Sequence, residues 1–249
     1  MAESKLKVIL LRSTPAAEEL VSQAARLCYS PASIEDLKGQ VERKDQTHFI
    51  EKLIDMHHLS PIEHISFTFG VEGISRACSH QIVRHRIASY SQQSQRYVGQ
   101  HSKNGGTFDF IIPPGIEKIG KKQWFIEKME TIQAWYDELV EALGNTGEKT
   151  FEDARFLLPN ATETKIIITM NARELLHFFR VRCCNRAQWE IRALAVEMLR
   201  LARQASPHIF KDAGPGCVSD NCPEGKMTCG KMAEVRETFK NVTDKQKNG

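Results

Sequence analysis

The stretch of sequence that does most to decide the fold runs from residue 84 to residue 97 and reads Arg-His-Arg-Ile-Ala-Ser-Tyr-Ser-Gln-Gln-Ser-Gln-Arg-Tyr. Residues 74–86 carry apolar side chains at helical spacing, which predicts a helix that ends at the basic triplet. Residues 88–97 are polar and lack that periodicity, so they are predicted to be extended. A helix followed by an extended polar segment is therefore the feature around which the other elements are placed.

Outside this stretch, strands and helices alternate irregularly and no internal repeat is found. Apolar, aromatic and β-branched runs predict strands at residues 7–11, 64–71, 108–112 and 163–170. Helical spacing predicts helices at residues 16–28, 46–58, 116–143, 147–157 and 171–203, the last broken near Cys184. We expect an α/β (α+β) fold, a single domain over residues 1–215 with a mixed or antiparallel sheet packed against long helices. Residues 216–249 are expected to form a cysteine-containing extension with a mobile tail, frayed over residues 240–249.

The composition fits a protein with a sizeable core and no strong basic bias. The chain has 249 residues, 41% of them hydrophobic, which suits one large domain. Lysine and arginine number 34 against 31 for aspartate and glutamate, so the net charge is only +3. The N-terminus lacks the apolar core of a signal peptide, and no run of about 18 apolar residues occurs. We therefore expect a soluble, cytoplasmic protein without a membrane partner.

Seven cysteines are an odd number for a disulfide scaffold. Four fall in apolar or helical segments, where reduced thiols are usual: Cys28, Cys78, Cys183 and Cys184. The other three crowd into a Gly- and Pro-containing segment at spacings of five and seven: Cys217, Cys222 and Cys229. Structural zinc sites typically use CxxC pairs, and a fourth ligand is missing from the local sequence. Reduced thiols and no metal site are therefore predicted.

The polar segment offers a compact row of hydrogen-bond donors. In an extended chain, residues two apart share one face, which would align Gln92, Ser94 and Arg96. A guanidinium beside a hydroxyl and a carboxamide suits a phosphate together with a base or sugar. No GxGxxG or GxxxxGK loop occurs, so a nucleotide's phosphates would be held by arginine side chains and helix termini.

Two further clusters of basic residues suggest a bound anion. Arg84, His85 and Arg86 are adjacent at a predicted helix end, where three adjacent basic groups repel one another unless an anion lies among them. The alternative is a solvated basic helix end. Downstream, two pairs four residues apart would each share a helix face: Arg173 with His177, and Arg182 with Arg186. The alternative there is an exposed face with counter-charges from Glu174 and Glu190.

Together these residues resemble the flavin-dependent thymidylate synthases, whose signature is Arg-His-Arg, seven residues and then Ser. Here residues 84–86 and Ser94 match it. Further similar blocks stand in the family's order over roughly residues 25 to 200. They are residues 59–69, 153–159, 171–175 and 187–191.

The resemblance implies a homotetramer in which FAD and dUMP lie at subunit interfaces. It implies a methyltransferase of de novo dTMP biosynthesis that converts dUMP to dTMP, with methylenetetrahydrofolate as the one-carbon donor. NADPH would reduce the FAD, which would supply the hydride. None of the seven cysteines lies at a matched position, so no cysteine nucleophile is implied.

Individual roles are also implied by the resemblance. Flavin-binding positions are matched by Ser60, Glu63, Arg84, His85, Arg86, Ile87, Ser91, Gln92, Asn171, Arg173, His177 and Arg186. The dUMP-binding positions are matched by Gln81, Arg84, Gln92, Ser94, Gln95, Arg96, Arg155 and Arg182. The catalytic positions are Arg182, against the pyrimidine, and His58, near the flavin and folate face. The sequence departs from the family at Ser91, often Asn, at Gln92, often Glu, and at Arg186, His in some members.

A nucleic-acid-binding module is the main alternative from another functional class. Tyr90 and Tyr97 lie among the arginines and could stack on bases. The basic groups are, however, dispersed among apolar blocks, whereas nucleic-acid domains usually show a strong basic bias. The enzyme is therefore favoured and no nucleic-acid partner is expected; a flavin absorption spectrum would distinguish the two.

Overall fold

The computed structural model describes residues 3–100, 106–240 and 242. The strands within them are β1 (Lys7–Ser13), β2 (Ser66–Ser75), β3 (Ala88–Gln92) and β4 (Glu163–Asn171). The α-helices are α1 (Ala17–Leu27), α2 (Ile34–Glu42), α3 (Thr47–Asp55), α4 (Arg76–Ile82), α5 (Pro114–Lys118), α6 (Lys122–Ala142), α7 (Glu148–Ala154), α8 (Ala172–Arg182), α9 (Trp189–Ala205) and α10 (Met232–Lys240). Short 3₁₀ helices cover Pro61–His64, Arg155–Leu157 and Gly225–Met227.

The four strands form one sheet in the order β1-β2-β4-β3. The Thr14 amide donates to the Ser66 carbonyl at 3.0 Å, while Lys7 Nζ donates to Glu72 Oε1 at 2.8 Å at the opposite end. Because the end of β1 lies beside the start of β2 and the start of β1 lies beside the end of β2, the two strands are antiparallel. Along β2, Phe67 and alternate residues after it are buried, which is the period of a strand with one face in the core. The expectation of helices combined with an antiparallel sheet is confirmed.

The helix that was expected from residue 74 begins later, at Arg76. Strand β2 continues through Ser75, whose hydroxyl then accepts a 3.0 Å hydrogen bond from the Cys78 amide. A serine in this position satisfies one of the free amides at a helix start. The strand and helix therefore meet at a capping residue, which periodicity alone does not locate.

The first of two compact units comprises Met1–Lys7, Val71–Arg84 and Tyr90–Ile167. One face of α6 supplies side chains to both clusters of its core. The first cluster contains Phe108, Phe110, Ile112 and Met129. The second contains Tyr136, Val140, Phe151 and Ala154. This unit contains most of the polar segment and the Arg155 block.

The second unit comprises Val8–Gly70, His85–Ser89 and Ile168–Gly249. Its core contains a run of aromatic rings in edge-to-face contact. The Phe67 and Phe210 ring centroids are 5.3 Å apart, and those of Phe179 and Phe210 are 5.9 Å apart. Such pairs each add about 0.5–1.5 kcal/mol beyond the burial of their area. Strand β2 and helix α8 are thereby joined to the segment that follows α9.

A buried arginine organises the C-terminal part of the second unit. Arg203 donates hydrogen bonds to the carbonyls of Phe210 at 3.0 Å, Ala213 at 2.7 Å and Phe239 at 2.6 Å. Burial lowers the pKa of Arg203 below its ordinary value. These acceptors lie after Pro207, so Arg203 ties helix α9 to the segment that follows it. The expected fraying at residues 241 and 243–249 lies outside them.

Other elements differ from expectation in identifiable ways. The strand predicted at residues 108–112 is wrong, because Phe110 forms only isolated bridges with Glu3 and Thr162. The helix predicted over residues 116–143 is divided into α5 and α6 by Gly120, whose φ of 69° is left-handed. Helices α2 and α10 were not predicted.

The single domain over residues 1–215 stays a prediction. No helix in the described ranges is long and apolar enough to cross a bilayer.

Candidate active site

The polar segment does not continue as a strand to residue 97. Strand β3 ends at Gln92, and the chain turns so that the Val98 amide donates to the Ser94 carbonyl at 3.0 Å. The Arg96 amide donates to the Ser94 hydroxyl at 3.2 Å. The expectation that Gln92, Ser94 and Arg96 line one face of an extended segment is therefore wrong. The hydroxyl of Ser94 instead accepts a hydrogen bond within a turn.

Around the end of β3, neutral oxygens hold an arginine that the sequence did not single out. Gln92 Nε2 donates to Ser79 Oγ at 3.0 Å and to Thr164 Oγ1 at 3.1 Å. Arg76 donates one Nη to the same threonine hydroxyl and to the Gln93 carbonyl, both at 3.4 Å. Burial lowers the pKa of Arg76, and the charge of Arg155 lowers it further. Two guanidinium groups thus affect each other within the first unit.

Arg76 carries one signal that becomes visible once the start of α4 is known. It is the first residue of α4, where a cation opposes the positive end of the helix dipole. A cation at this end of a helix is electrostatically unfavourable for the helix, so its presence indicates a role other than stabilising the helix. Its combination with a half-buried position, which only the structure gives, makes it a candidate anion ligand.

Three dUMP-matched residues have different surroundings in the first unit. Arg155 begins a 3₁₀ helix and donates its Nε to the Glu152 carbonyl at 3.1 Å. Arg96 forms an ion pair with Glu148 and a second with Glu152 at 3.2 Å. Gln95 Nε2 is buried and finds no hydrogen-bond partner among the described residues. A buried amide without a partner is costly, so a ligand oxygen that fills this position would be favoured.

In the second unit a buried histidine connects a carboxylate to an arginine. His85 Nδ1 lies 3.2 Å from Glu174 Oε1, and Arg182 Nε donates to His85 Nε2 at 3.0 Å. An Nε2 that accepts from Arg182 requires neutral His85 with its proton on Nδ1, which then donates to Glu174. The direction of the Arg182 guanidinium is thus set by the tautomer of one imidazole.

The environment of His85 favours that neutral form. Burial lowers the pKa of His85, and the charges of Arg182 and His177 lower it further, while Glu174 opposes them.

Only Arg84 and Arg86 of the basic triplet are exposed. Their side chains take part in none of the hydrogen bonds or ion pairs found for the described residues. The expectation of three adjacent cations is therefore wrong, because the middle residue is buried and neutral.

Other flavin-matched residues lie at the start of α8. Asn171 accepts a 2.8 Å hydrogen bond from the Glu174 amide and so caps the helix. Arg173 forms an ion pair with Glu63, in the 3₁₀ helix that follows Ser60. His177 is exposed one turn along from Arg173, so their expected shared face is confirmed.

The expected pairing of Arg182 with Arg186 on one helix face is wrong. Helix α8 ends at Arg182, and Arg186 lies in the connection to α9. There Arg186 donates to the Met227 carbonyl at 2.9 Å and lies 3.6 Å from Glu224. Arg186 thus contacts the C-terminal segment.

The remaining matched residues are distributed over both units. Ile87 and Ser91 are exposed, and Gln81 is half-buried on α4. His58 is exposed and lines a cavity of about 470 Å³ with Tyr29 and Met56. Among the dUMP-matched residues, Arg182 belongs to the second unit and the others to the first. Among the flavin-matched residues, those of the first unit are Arg84, Ser91 and Gln92.

Comparison with known proteins places these residues in a family. The family model described as thymidylate synthase complementing protein matches residues 9–208. A flavin-dependent thymidylate synthase from Geobacter sulfurreducens is 54% identical over 238 residues, covering 96% of this chain and 100% of the relative. Relatives of the same name are 49% identical in Clostridium tetani, over 94% of this chain and 97% of the relative, and 39% identical in Pyrococcus furiosus, over 96% and 98%.

Two solved structures resemble the fold. The UMP/dUMP methylase PolB from Streptomyces cacaoi, bound with 5-Br dUMP, has a TM-score of 0.68 at 24% identity, over 85% of this chain and 96% of that one. Thymidylate synthase X from Helicobacter pylori, with FAD and dUMP, has a TM-score of 0.64 at 22% identity, over 84% and 99%. At these identities the likeness concerns the fold alone.

Proposed function

The chain belongs to the flavin-dependent thymidylate synthases, and from that premise we propose that it converts dUMP to dTMP by reductive methylation. Methylenetetrahydrofolate is the one-carbon donor and NADPH the reductant. When bound, reduced FAD supplies the hydride that completes the methyl group. The side chains described here have to bind, orient and polarise, because a reaction carried by a cofactor leaves positioning and electrostatics to the protein.

The Glu174–His85–Arg182 chain of hydrogen bonds is the observation that carries the proposal. It holds a guanidinium in one direction with a buried neutral histidine and a carboxylate behind it. We assign Arg182 the role of stabilising negative charge that develops on the uracil ring. A donor oriented in advance stabilises developing charge without reorganising during the reaction. His85 and Glu174 are then positioning residues.

The nucleotide is assigned to the polar residues of the first unit, and the role of Arg182 toward the uracil ring rests on the match to the family. The set comprises Gln81, Arg84, Gln92, Ser94, Gln95, Arg96 and Arg155, to which we add Arg76. The unpartnered amide of Gln95 and the mutual effect of Arg76 and Arg155 fit a ligand with oxygen acceptors and negative charge. Gln92 donates to hydroxyls through its amide, so it has no need of the carboxylate that is frequent at this position.

The flavin is assigned to residues around the basic triplet and the start of α8. The set comprises Ser60, Glu63, Arg84, His85, Arg86, Ile87, Ser91, Gln92, Asn171, Arg173, His177 and Arg186. Arg84 and Arg86 fit a pyrophosphate because both are exposed cations. His85 contributes through Arg182, since both of its ring nitrogens lie within hydrogen-bonding distance of side chains of this chain. His58 is assigned to the folate face.

Active sites at the subunit interfaces of a homotetramer are supported by exposed apolar residues next to ligand-matched ones. Phe156 is 84% exposed beside Arg155, Tyr97 is 65% exposed beside Arg96, and Ile87 is 67% exposed beside Arg86. Large apolar side chains left in water are typical of surfaces that become covered. A second chain packed on these residues would bring its own arginines to the nucleotide. The free cysteines also fit a cytoplasmic protein.

The test separates redox chemistry from methyl transfer. Purified protein should show a flavin spectrum, oxidise NADPH faster when dUMP is present, and release tritium from C5-labelled dUMP only when methylenetetrahydrofolate is added. A colourless protein that binds an RNA oligonucleotide would contradict the proposal and favour the nucleic-acid alternative. Light scattering of the same sample should give the mass of four chains.

A further inference from the structure

The α1–α3 cavity, lined by residues between positions 25 and 58, belongs to the second unit alone. Its residues come from α1, α2 and α3 and from the segments that follow α1 and α3. Its volume of about 470 Å³ lies in the range of small-molecule sites. Among the described lining residues, His58 alone has a role in the proposed function. The cavity is therefore a binding site to which neither dUMP nor the flavin has been assigned.

Much of the wall of the α1–α3 cavity is apolar. Ala25, Leu37 and Leu53 line it, are buried, and belong to three different helices. Tyr29 and Met56 line it as well, yet they are 83% and 52% exposed. Aromatic and thioether side chains beside an apolar wall suit a flat ring, because a bound ring covers apolar surface on both partners.

Arg26 is held in this wall by an aromatic ring and a neutral amide. Its guanidinium carbon lies 4.0 Å from the centroid of the Phe49 ring, and one Nη donates to Gln46 Oε1 at 3.3 Å. Gln46 Nε2 donates to the carbonyls of Val41 at 2.8 Å and Lys44 at 2.7 Å, which fixes the amide with its oxygen toward Arg26. The guanidinium is thus directed without its charge being neutralised.

The charged side chains of the α1–α3 cavity are cations. Arg26 on α1 and Lys52 on α3 both line it, and the described lining residues include no aspartate or glutamate. Neither cation forms an ion pair within the part of the chain that the structure describes. The electrostatic complement of this cavity is therefore a ligand with negative charge.

We propose that the α1–α3 cavity binds the p-aminobenzoylglutamate end of methylenetetrahydrofolate, with Arg26 and Lys52 on its carboxylates; the identity of this co-substrate rests on the proposed function. The p-aminobenzoyl group is a flat ring that matches the apolar wall. The glutamate that follows it has two carboxylates, which match the two cations. Each further γ-linked glutamate of a longer folate adds one carboxylate. His58, assigned to the folate face, lines the same cavity.

NADPH is the other ligand of the proposed reaction to which no residue has been assigned. Its adenosine end also joins a ring to anionic groups, but these are a ribose and three phosphates. A largely apolar wall with two cations offers them few hydrogen-bond partners. The smaller and less polar p-aminobenzoylglutamate is the better match.

The first test measures KM separately for each substrate of the holoenzyme. In Arg26→Met, KM for methylenetetrahydrofolate should rise about tenfold, because one charge-assisted hydrogen bond is lost. The KM values for dUMP and NADPH should stay at those of the wild type. A rise in KM for NADPH alone would overturn the assignment to the folate. Unchanged KM for methylenetetrahydrofolate would overturn the site.

Arg43→Met is the matched control for this test. Arg43 is exposed at the end of α2 and lies outside the lining of the α1–α3 cavity. Its replacement removes the same charge from the same unit, so all three KM values should remain at those of the wild type. A rise in KM for methylenetetrahydrofolate equal to that of Arg26→Met would show a general effect of charge and overturn the site.

A second test measures binding without turnover. By calorimetry, 5-formyltetrahydrofolate with three glutamates should bind the wild type about threefold to tenfold more tightly than the form with one glutamate, on the scale of two exposed ion pairs. Added salt should reduce this ratio. In Lys52→Met the ratio should fall toward one; Lys52 is exposed, so its replacement leaves the core intact. An equal ratio in the wild type and in Lys52→Met would overturn the proposal.

The two tests separate the role of the cavity from the reaction itself. A wild type that forms dTMP, with variants that keep its KM and its affinity ratio, would contradict the role of the cavity alone. A wild type that favours the triglutamate through Lys52 but forms no dTMP would support the cavity and contradict the reaction.

Discussion

Two half-buried arginines, one in each compact unit, are held in opposite ways. Arg182 donates to a neutral histidine that is itself held by Glu174. Among the described residues, Arg76 donates only to a hydroxyl and a carbonyl, and the charge acting on it is that of another arginine, Arg155. The direction of Arg182 is therefore fixed before a ligand arrives, while the charge of Arg76 remains available to a ligand. The first arrangement suits catalysis and the second suits binding.

Replacing Arg182 should have the largest effect on turnover. In Arg182→Ala, kcat should fall by about 10²–10³-fold, the usual loss when one oriented donor at developing charge is removed. The flavin spectrum should be retained. Arg182→Lys keeps the charge without the planar Nε donor and should remain well below the wild type. Turnover near the wild-type rate in the alanine variant would contradict the role of Arg182.

Removing the carboxylate behind His85 should have a smaller effect. Glu174→Ala leaves Arg182 in place but no longer directed, so kcat should fall by about tenfold to hundredfold with little change in KM for dUMP. Unfolding should become easier by about 1–3 kcal/mol, because the buried His85 N–H loses its acceptor. Glu174→Gln, which keeps an acceptor oxygen, should recover part of kcat. A change in KM alone would indicate a binding role instead.

The comparison predicts the reverse pattern for Arg76. Arg76→Met should raise KM for dUMP by about tenfold, because a charge-assisted hydrogen bond contributes about 1.5–3 kcal/mol. The value of kcat should change little. Added salt should raise KM less in the variant than in the wild type, since one source of electrostatic attraction for the phosphate is gone. Unchanged KM and salt dependence would remove Arg76 from the nucleotide set.

Lowering the pH should affect the surroundings of Arg182 but not those of Arg76, and this is the smallest of the four predicted effects. The folded-state pKa of His85 lies below its ordinary value of 6.5, so folding favours neutral His85. Its stabilisation is therefore fully present above pH 6.5 and is lost as pH falls toward the folded pKa. The slope is at most about 1.4 kcal/mol per pH unit. Between pH 7 and pH 5, the thermal stability and kcat should both fall in Arg76→Met, which keeps His85. The same falls should be absent from His85→Gln.

The spacing of apolar residues was sufficient to predict the elements whose sequence pattern is local. Helix α8 and the break after it were predicted, because apolar spacing continues through Phe179 and changes near Cys184. The turn at Ser94 could not be predicted in this way. It depends on hydrogen bonds from Arg96 and Val98, and a polar segment without periodicity is equally compatible with a strand.

The candidate site was less accessible from sequence where burial decides a residue's role. The sequence around His85 does not reveal whether its side chain is exposed or buried, yet burial favours its neutral form, which accepts a hydrogen bond from Arg182. Arg76 carries no motif of its own and became a candidate through its proximity to Arg155.

The buried Arg203 has a consequence for how the chain is made. Its acceptors at Phe210 and Ala213 follow closely in sequence, but the third is the carbonyl of Phe239. Before residue 239 has been translated, the growing chain holds this cation without one of its three acceptors. Chains terminated early would expose that defect, which chaperones and proteases can recognise. The burial of Arg203 is thus complete only after residue 239 has been added to the chain.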